Sequence, residues 1–411
     1  MSQAITLNTK RSFYEKVILN LLSRMDLGTL NITMPNGEVV RLGNGNEVIA
    51  NVEIKSNDFF RRCVLYGDIG FGEAYVDGDW DTDDITKVIK WFIVNIENAP
   101  TASGSNVQNF TLNILKIFNK IYHFKRANSV DGSRKNISEH YDLNNDFFAL
   151  FLDPTMTYSA AYFTEEGMDL KQAQIEKYNR LCRQLNLKPT DHVLEIGSGW
   201  GGNAIHIAKN FGCKVTTATI SEEQYKLAKE RIEQENLSHK IDVVLQDYRL
   251  LEGKFDKIVS IEMLEAVGHK FLDVYFKKCS DLLKKDGILA IQVITCPDSR
   301  YESLKNGVDW IQKHIFPGSL LPSVAAINKA INSTSDLTLL DLKDMGLDYA
   351  RTLNIWREEF NKRLSEVKQL GFDERFIRKW NYYLCYCEAA FEMRNINVMQ
   401  MVYARPNNVL R

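Results

Sequence analysis

A glycine-rich run at residues 193–202 suggests ligand binding more directly than any other segment of this 411-residue chain. It reads Val-Leu-Glu-Ile-Gly-Ser-Gly-Trp-Gly-Gly, which is typical of a strand, a turn and the start of a helix. Gly197, Gly199 and Gly202 fit the pattern GxGxxG, in which glycines permit a tight turn and the helix N-terminus favours an anionic group. The pattern alone is weak, because it serves dinucleotides, S-adenosylmethionine or simple packing of a helix on a strand.

The end of the following strand argues against a dinucleotide. A dinucleotide site favours Asp or Glu there, about 20 residues after the glycines, to bind the ribose. This chain has Thr217-Ala218-Thr219-Ile220-Ser221 at that place, with no carboxylate. The sequence therefore disfavours a dinucleotide as the ligand.

Alternating strands and helices position the glycine loop. Helices are predicted at 201–210, 221–236 and 270–284, and strands at 192–196, 214–219, 241–246, 255–261 and 288–295. Strands separated by helices predict a mostly parallel sheet, with ligands bound at the carboxyl ends of its strands. The region after 324 is predicted to be mostly helical.

The first 97 residues have a different pattern. Residues 12–25 have helical spacing, and three alternating runs between turn residues predict a small antiparallel sheet at 30–34, 38–40 and 48–54. Residues 71–80 are too glycine-rich and acidic for a long strand and predict a tight connection. The predicted divisions are a small accessory domain at 1–97, a linker and basic amphipathic helix at 98–136, and the glycine-loop domain at 137–411.

Charge and composition restrict the possible partners. The net charge of −2 excludes nucleic-acid binding through bulk charge. Residues 116–135 hold six Lys or Arg against one Asp, which suits an anionic membrane surface or, equally, a core-facing helix with a solvated basic face. Seven scattered cysteines lack the spacing of a metal site, and no apolar run is long enough for a membrane span. We therefore expect a cytoplasmic protein, without a bound metal, that contacts the inner face of the membrane peripherally.

Several runs, together with the glycine loop, resemble one family. They are Glu139-His140-Tyr141-Asp142, Thr157-Tyr158-Ser159-Ala160-Ala161-Tyr162-Phe163, Thr219-Ile220-Ser221-Glu222-Glu223-Gln224, Asp247-Tyr248-Arg249, Ile261-Glu262-Met263-Leu264-Glu265-Ala266-Val267-Gly268-His269 and Ile315-Phe316-Pro317-Gly318. From about 137 to 405 the chain resembles the cyclopropane-fatty-acyl-phospholipid synthases and mycolic-acid cyclopropane synthases, which are S-adenosylmethionine-dependent methyltransferases. The resemblance implies an α/β fold: a Rossmann-like methyltransferase domain with a mostly parallel sheet and a helical lid, plus a small α+β N-terminal domain.

The resemblance also implies S-adenosylmethionine as cofactor and a set of residues to bind it. The methionine end of the cofactor is assigned to the glycine loop and to two residues about 40 positions earlier in the chain. The ribose is assigned to the end of the second strand and the adenine to the end of the third. In that order the residues are Gly197, Ser198, Gly199, Tyr158 and Ser159; Thr219, Ile220 and Gln224; and Asp247 and Tyr248. For Asp247 and Gln224, ordinary capping at a strand end is the alternative.

The family's reaction defines a second set of residues. A methyl group passes from a sulfonium to a cis double bond of a lipid acyl chain, and the resulting carbocation loses a proton from the new methyl as the ring closes. The cation needs a dry pocket with aromatic faces, and a base must lie close to the proton. The resemblance implies bicarbonate as that base, held by Glu265, Tyr349 and the backbone of Ile294. The alternatives are a solvated carboxylate at a helix start for Glu265 and a core residue for Tyr349.

Two positions depart from the family pattern. Ala160 stands where many members have Cys, and Gln292 stands where many have His. Alanine keeps its backbone N–H and glutamine can still bond an anion, so an ion could be held differently. Alternatively, the cation is resolved as a methyl or methylene branch, with Glu262, His269 or His140 as a replacement base.

Three functions follow. The first is a lipid-modifying C-methyltransferase that makes cyclopropane fatty acyl chains on unsaturated phospholipid. The second is a methyltransferase that gives a branched lipid or acts on a small molecule. The third is a lipid-binding protein whose catalytic site has decayed through Ala160 and Gln292. The N-terminal domain is expected to assist membrane docking or contacts within a homodimer.

Overall fold

A computed structural model describes residues 11–96 and 144–408. The linker and basic helix predicted at 98–136, and His140, lie outside the described residues. The helices are α1 (Phe13–Leu22), α2 (Asp58–Val76), α3 (Ile85–Val94), α4 (Asn145–Ala149), α5 (Leu170–Leu185), α6 (Gly202–Phe211), α7 (Glu222–Gln234), α8 (Leu272–Leu282), α9 (Tyr301–Asn306), α10 (Trp310–His314), α11 (Val324–Thr334), α12 (Gly346–Lys362), α13 (Leu364–Gln369) and α14 (Glu374–Glu392). The strands are β1 (Thr29–Thr33), β2 (Val39–Gly43), β3 (Ile49–Ile54), β4 (Trp80–Asp81), β5 (His192–Ile196), β6 (Lys214–Thr219), β7 (Ile241–Leu245), β8 (Phe255–Ile261), β9 (Leu283–Thr295), β10 (Thr338–Asp344) and β11 (Asn397–Ala404).

The described residues form two compact units. The first contains 11–96 together with two later segments, 302–315 and 371–395. The second contains the remaining described residues from 144 onward and carries the glycine loop. No local pattern predicted that α10 and α14 would pack with the residues before 97. The predicted domain boundaries stay a prediction.

The sheet of the first unit differs from the antiparallel sheet that its turns predict. Its order is β2-β1-β3-β4, and β3 runs parallel to β1. The link from β2 to β3 crosses the start of β1, where Gly45 N–H bonds the Gly28 carbonyl at 3.1 Å. This crossing carries β3 to the far edge of β1 instead of beside β2. Gly45 is required there, because an added Cβ would lie 2.7 Å from the Gly28 nitrogen.

Most of the segment 71–80 is helical, so the predicted tight connection is wrong. Helix α2 continues to Val76, although Gly67 breaks its regular geometry with φ 61°. Gly72 lets the helix pack closely, since a Cβ there would lie 2.6 Å from the ring of Trp310. Gly72 thus serves close packing, whereas Gly78, with φ 84°, lies in the short turn between α2 and β4. Among the described residues, no helix has both the length and the apolar character that a membrane span requires.

The sheet of the second unit confirms the predicted Rossmann-like α/β fold. Its seven strands have the order β10-β11-β9-β8-β5-β6-β7, with β5 to β9 parallel. The chain leaves β5 toward β6 on one side and later returns to β8 on the other. The crevice between β5 and β8 is therefore the switch point at which such sheets bind ligands. The glycine loop follows β5 directly.

Two strands lie in the region after 324 that was predicted to be mostly helical. Strand β11 is antiparallel to both β9 and β10, and almost all of it is buried. A short apolar run that is buried on both faces has no period that separates strand from helix. Strand β10 lies at the sheet edge and alternates between exposed and half-buried residues.

Candidate active site

The glycine loop leaves open space on one side. Gly197 and Gly199 have φ values of 96° and 48°, which favour glycine. The N–H groups of Gly197 and Ser198 both bond the Ala218 carbonyl, at 2.9 and 3.0 Å, and so tie the loop to β6. A Cβ added at Gly197 would lie 3.3 Å from Met263, whereas one at Gly199 would meet nothing within 4 Å. The loop therefore fits a ligand whose polar end approaches the backbone at Gly199.

A buried carboxyl group just before this loop is hydrogen-bonded to α6 and β6. Glu195, at the end of β5, accepts hydrogen bonds from Asn203 Nδ2 at 2.8 Å and from Thr217 Oγ1 at 2.6 Å. Burial raises the pKa of Glu195 to about 7. We did not predict this group, although an acidic residue two positions before Gly197 was a visible signal.

The residues predicted for the ribose lie together. Thr219 Oγ1 donates to Gln224 Oε1 at 2.9 Å and accepts from Ser221 N–H at 3.1 Å. Ile220 lies between β6 and α7 in the same turn. Since the Gln224 carbonyl oxygen is used by Thr219, its amide NH₂ group is the donor that remains for a hydroxyl-rich ligand.

The residues predicted to border adenine lie after β7. Asp247 is 2% exposed, and Arg249 donates to it from Nε at 2.8 Å and from Nη2 at 2.6 Å. The carboxylate thus has an internal cationic partner, which the sequence interpretation missed. The Tyr248 ring packs edge-on against Tyr275, with ring centroids 5.2 Å apart. Asp247 also caps the short helical turn that holds Tyr248.

An aromatic wall forms on the segment before α5 and on α12. The Tyr158 ring lies 5.2 Å from the rings of both Phe148 and Trp356, and Trp356 lies 6.1 Å from Tyr349. Beside it, Ser159 Oγ accepts a hydrogen bond from the fully buried Lys177 at 2.7 Å. We did not predict Lys177, because it lies on a mostly polar helix without a motif. Burial lowers the pKa of this ammonium group.

Three predicted catalytic residues converge on a carboxylate that was only a secondary candidate. Ala160 N–H donates to Glu262 Oε1 at 2.9 Å, and Gln292 Nε2 donates to the same oxygen at 2.7 Å. Tyr349 OH donates to Glu262 Oε2 at 2.8 Å. His269, weighed as another replacement base, hydrogen-bonds Tyr301 instead.

The other two predicted catalytic residues bond each other. The Ile294 N–H donates to Glu265 Oε1. Glu265 Oε2 is buried and has no hydrogen-bond partner among the described residues. Burial, and secondarily the charge of Glu262, raise the pKa of Glu265 to about 8. Glu265 is therefore protonated at neutral pH and can donate a hydrogen bond from an otherwise unpaired position.

These contacts test whether the residues present fit a bicarbonate ion. The resemblance assigned the ion to Glu265, Tyr349 and Ile294, with Ala160 and Gln292 beside it. In the structure Ala160, Gln292 and Tyr349 already donate to Glu262, and Ile294 donates to Glu265. An ion at this place would have to displace the Glu262 carboxylate, so the arrangement does not fit bicarbonate. Among the residues that the structure describes, no cluster of His, Cys, Asp and Glu could hold a metal ion.

We expect replacement of Glu265 to flatten the pH dependence of stability. The pKa of Glu265 is about 8 in the folded protein and near 4.5 in the unfolded chain. Its contribution to the free energy of unfolding is therefore complete below pH 4.5 and is lost as pH rises through 8. Glu265→Gln removes this titration. Between about pH 5 and pH 9, the free energy of unfolding should fall by up to about 5 kcal/mol more in the wild type than in the variant. Chemical denaturation across pH measures the difference, and parallel curves would contradict it.

The sheet order, the glycine loop at the switch point and the similarity to a solved relative together define a class. The protein is an S-adenosylmethionine-dependent methyltransferase. A crystal structure of a mycolic acid cyclopropane synthase complexed with SAH and CTAB supports this, with a TM-score of 0.61 and 28% identity over 66% of this chain and 97% of that chain.

Sequence comparison identifies the family. The family described as mycolic acid cyclopropane synthetase matches residues 128–401. A tuberculostearic acid methyltransferase of Mycobacterium tuberculosis is 38% identical over 352 residues, 84% of this chain and 81% of that protein. The cyclopropane-fatty-acyl-phospholipid synthase of Escherichia coli K12 is 39% identical over 362 residues, 87% of this chain and 88% of that protein. This chain belongs to that family and is an enzyme of the cyclopropane-fatty-acyl synthase type.

Proposed function

We propose that this enzyme transfers the methyl group of S-adenosylmethionine to the cis double bond of an unsaturated phospholipid acyl chain and forms a cyclopropane ring. The observation that carries the proposal is the Glu262 carboxylate, which three donors hold beside an aromatic wall. The name of the Escherichia coli relative, a cyclopropane-fatty-acyl-phospholipid synthase, supports phospholipid as the acceptor.

The proposed roles at the cofactor follow the geometry. When bound, S-adenosylmethionine supplies an electrophilic methyl group on its sulfonium. Gly197, Ser198 and Gly199, with Tyr158 and Ser159, hold its methionine end, where Gly199 leaves open space. Thr219, Ile220 and Gln224 hold the ribose through the amide of Gln224. Tyr248 and the Arg249-paired Asp247 border the adenine.

The aromatic wall stabilises the cation that forms on the lipid. Methyl transfer to a double bond leaves a positive charge on the neighbouring carbon, and aromatic faces stabilise a cation without bonding to it. The half-buried Tyr158 supplies such a face, and the fully buried Trp356, with its ring centroid 5.2 Å away, supports that ring. Tyr349 joins the wall to the carboxylate, because its ring lies 6.1 Å from Trp356 and its hydroxyl bonds Glu262.

A branched acyl product is the second candidate. It is favoured by the 38% identity to a tuberculostearic acid methyltransferase and by Gln292, where many family members have His. In this route a hydride shifts to the cationic carbon, and proton loss from the added methyl leaves a methylene branch. Both products add one carbon and two hydrogens to the lipid, so mass alone does not separate them.

We expect purified protein and methyl-labelled S-adenosylmethionine to label vesicles of cis-monounsaturated phospholipid but not vesicles of saturated phospholipid. Proton NMR of the product then separates ring from methylene. Label in a small water-soluble acceptor in a lipid-free assay would contradict the lipid proposal. Cofactor binding without turnover on any acceptor would indicate a decayed, lipid-binding protein.

Matched vesicles with and without anionic lipid test the proposed peripheral membrane contact, which the basic composition of 116–135 supports.

A further inference from the structure

The donors that the family resemblance assigns to a free ion are bound to a side chain of this protein. We propose that the Glu262 carboxylate takes the place of an exogenous anion and is the base that accepts the proton from the added methyl carbon. The inference rests on the proposed function, because it concerns the fate of the lipid cation. Its basis is the convergence of Ala160 N–H, Gln292 Nε2 and Tyr349 OH on one carboxylate.

The backbone directs this carboxylate into the site. Glu262 follows β8 and has φ 48°, a left-handed conformation that is uncommon for a residue with a side chain. Its N–H bonds the Gln292 carbonyl at 2.7 Å, which fixes the turn against β9. Strain of this kind persists where the surrounding contacts hold it, and it is concentrated at functional sites. The Glu262 side chain is half-buried, so part of it remains accessible.

A chain of hydrogen bonds fixes the orientation of Gln292. Its Oε1 accepts from Gln400 Nε2 at 2.9 Å, and Gln400 Oε1 accepts from Arg180 Nη1 at 2.8 Å. The NH₂ group of Gln292 must therefore face Glu262. Arg180, Gln400 and Gln292 are positioning residues, and a neutral amide does not compete for the proton as an imidazole would.

The carboxylate keeps a place for the proton. Oε1 accepts two hydrogen bonds and Oε2 accepts one, which leaves a lone pair on Oε2. Burial outweighs these hydrogen bonds and raises the pKa of Glu262, which makes its ionised form a stronger base near neutral pH. The neighbouring charged or titratable groups are the Lys177 ammonium, the Glu265 carboxyl and the Tyr349 hydroxyl.

The step is balanced without a further reactant. The π electrons of the double bond form the new C–C bond, and the S–CH₃ bond pair stays on sulfur. A C–H bond of the added methyl then breaks, its proton goes to Glu262 Oε2, and its electron pair closes the ring on the cationic carbon. In the branched route the same proton leaves after the hydride shift, so one base serves both products.

The first test removes bicarbonate from the wild-type enzyme. We expect methylation of unsaturated phospholipid in buffer depleted of carbon dioxide to stay within twofold of the rate with added bicarbonate. A loss of tenfold or more on depletion would overturn the inference while leaving the proposed function intact. If the wild type labels no lipid in either buffer, the proposed function fails instead.

Two variants at one position sharpen the test. Glu262→Gln keeps the side-chain volume without a base and should lower turnover about 100-fold, with S-adenosylhomocysteine affinity within threefold of wild type. Glycine suits the φ of 48° at this position, and Glu262→Gly leaves the position of the carboxylate open for an anion. Added bicarbonate should therefore raise the activity of Glu262→Gly at least tenfold. Bicarbonate should not rescue Glu262→Gln. Full activity of Glu262→Gln would overturn the inference.

A binding measurement needs no turnover and therefore stands apart from the proposed function. By calorimetry, bicarbonate should bind Glu262→Gly and not the wild type. Binding to the wild type, or a crystal structure in bicarbonate with an ion between Ala160 and Tyr349 and Glu262 displaced, would contradict the inference. Thermal unfolding of each variant confirms that the fold is kept.

Discussion

Replacing Gly199 by Ala should lower the affinity for S-adenosylhomocysteine by about 100-fold, which corresponds to about 2.7 kcal/mol. The added Cβ enters the open space above the loop, where the methionine end of the cofactor is proposed to contact the backbone. A charged ligand displaced from the backbone at Gly199 loses charge-assisted hydrogen bonds. Isothermal titration calorimetry measures the loss, and methyl transfer should fall in parallel at subsaturating cofactor.

Gly167→Ala is the matched control. Gly167 belongs to the same unit, has φ 85°, and would likewise place a Cβ in open space. Both variants therefore introduce a side chain at positive φ, but only Gly199 lies in the glycine loop. Gly167→Ala should bind the cofactor within twofold of wild type. Equal losses in the two variants would show that backbone strain, and not a ligand at Gly199, is responsible.

Trp356→Ala should lower the free energy of unfolding by about 3–5 kcal/mol. Trp356 is fully buried and packs against Phe151, Tyr158 and Tyr349. Truncation removes a large apolar surface and leaves a cavity that the surrounding rings fill only in part. Denaturant unfolding measures this effect. Tyr349, which bonds Glu262, should also lose its packing partner. Activity should therefore decrease by a larger factor than the folded fraction does.

Trp356→Phe separates packing from polarity. The indole nitrogen of Trp356 is buried without a hydrogen-bond partner among the described residues, so phenylalanine removes an unsatisfied donor while keeping an aromatic face. We expect it to cost less than half as much stability as Trp356→Ala. A Trp356→Ala variant within 1 kcal/mol of wild type would contradict the packing that the structure describes.

Local patterns predicted the part of the fold that positions the glycine loop. Strands β5, β6 and β8 have the predicted bounds, because each is a short run with β-branched residues that lies between turn or cap residues. The crossing that makes β3 parallel to β1 was not predictable, since it depends on the close approach of Gly45 to Gly28. Strand β11 was missed because burial on both faces removes periodicity.

The candidate site was predictable as a set of residue types but not as a set of contacts. Ala160, Gln292 and Tyr349 were chosen through the family resemblance, and their convergence on Glu262 depends on residues 30 to 102 positions apart. Lys177 has no local signal, because its burial and its bond to Ser159 arise only when α5 packs on the sheet. Long-range geometry therefore decided which carboxylate the site is built around.

The place of β11 in the sheet has a consequence for biosynthesis. This strand lies between β9 and β10 and supplies Gln400, yet it is formed by residues 397–404. A nascent chain on the ribosome cannot complete the sheet until those residues have left the exit tunnel. The site proposed around Glu262 therefore forms only after residues 397–404 have been translated, and a nascent chain that lacks them is expected to be inactive.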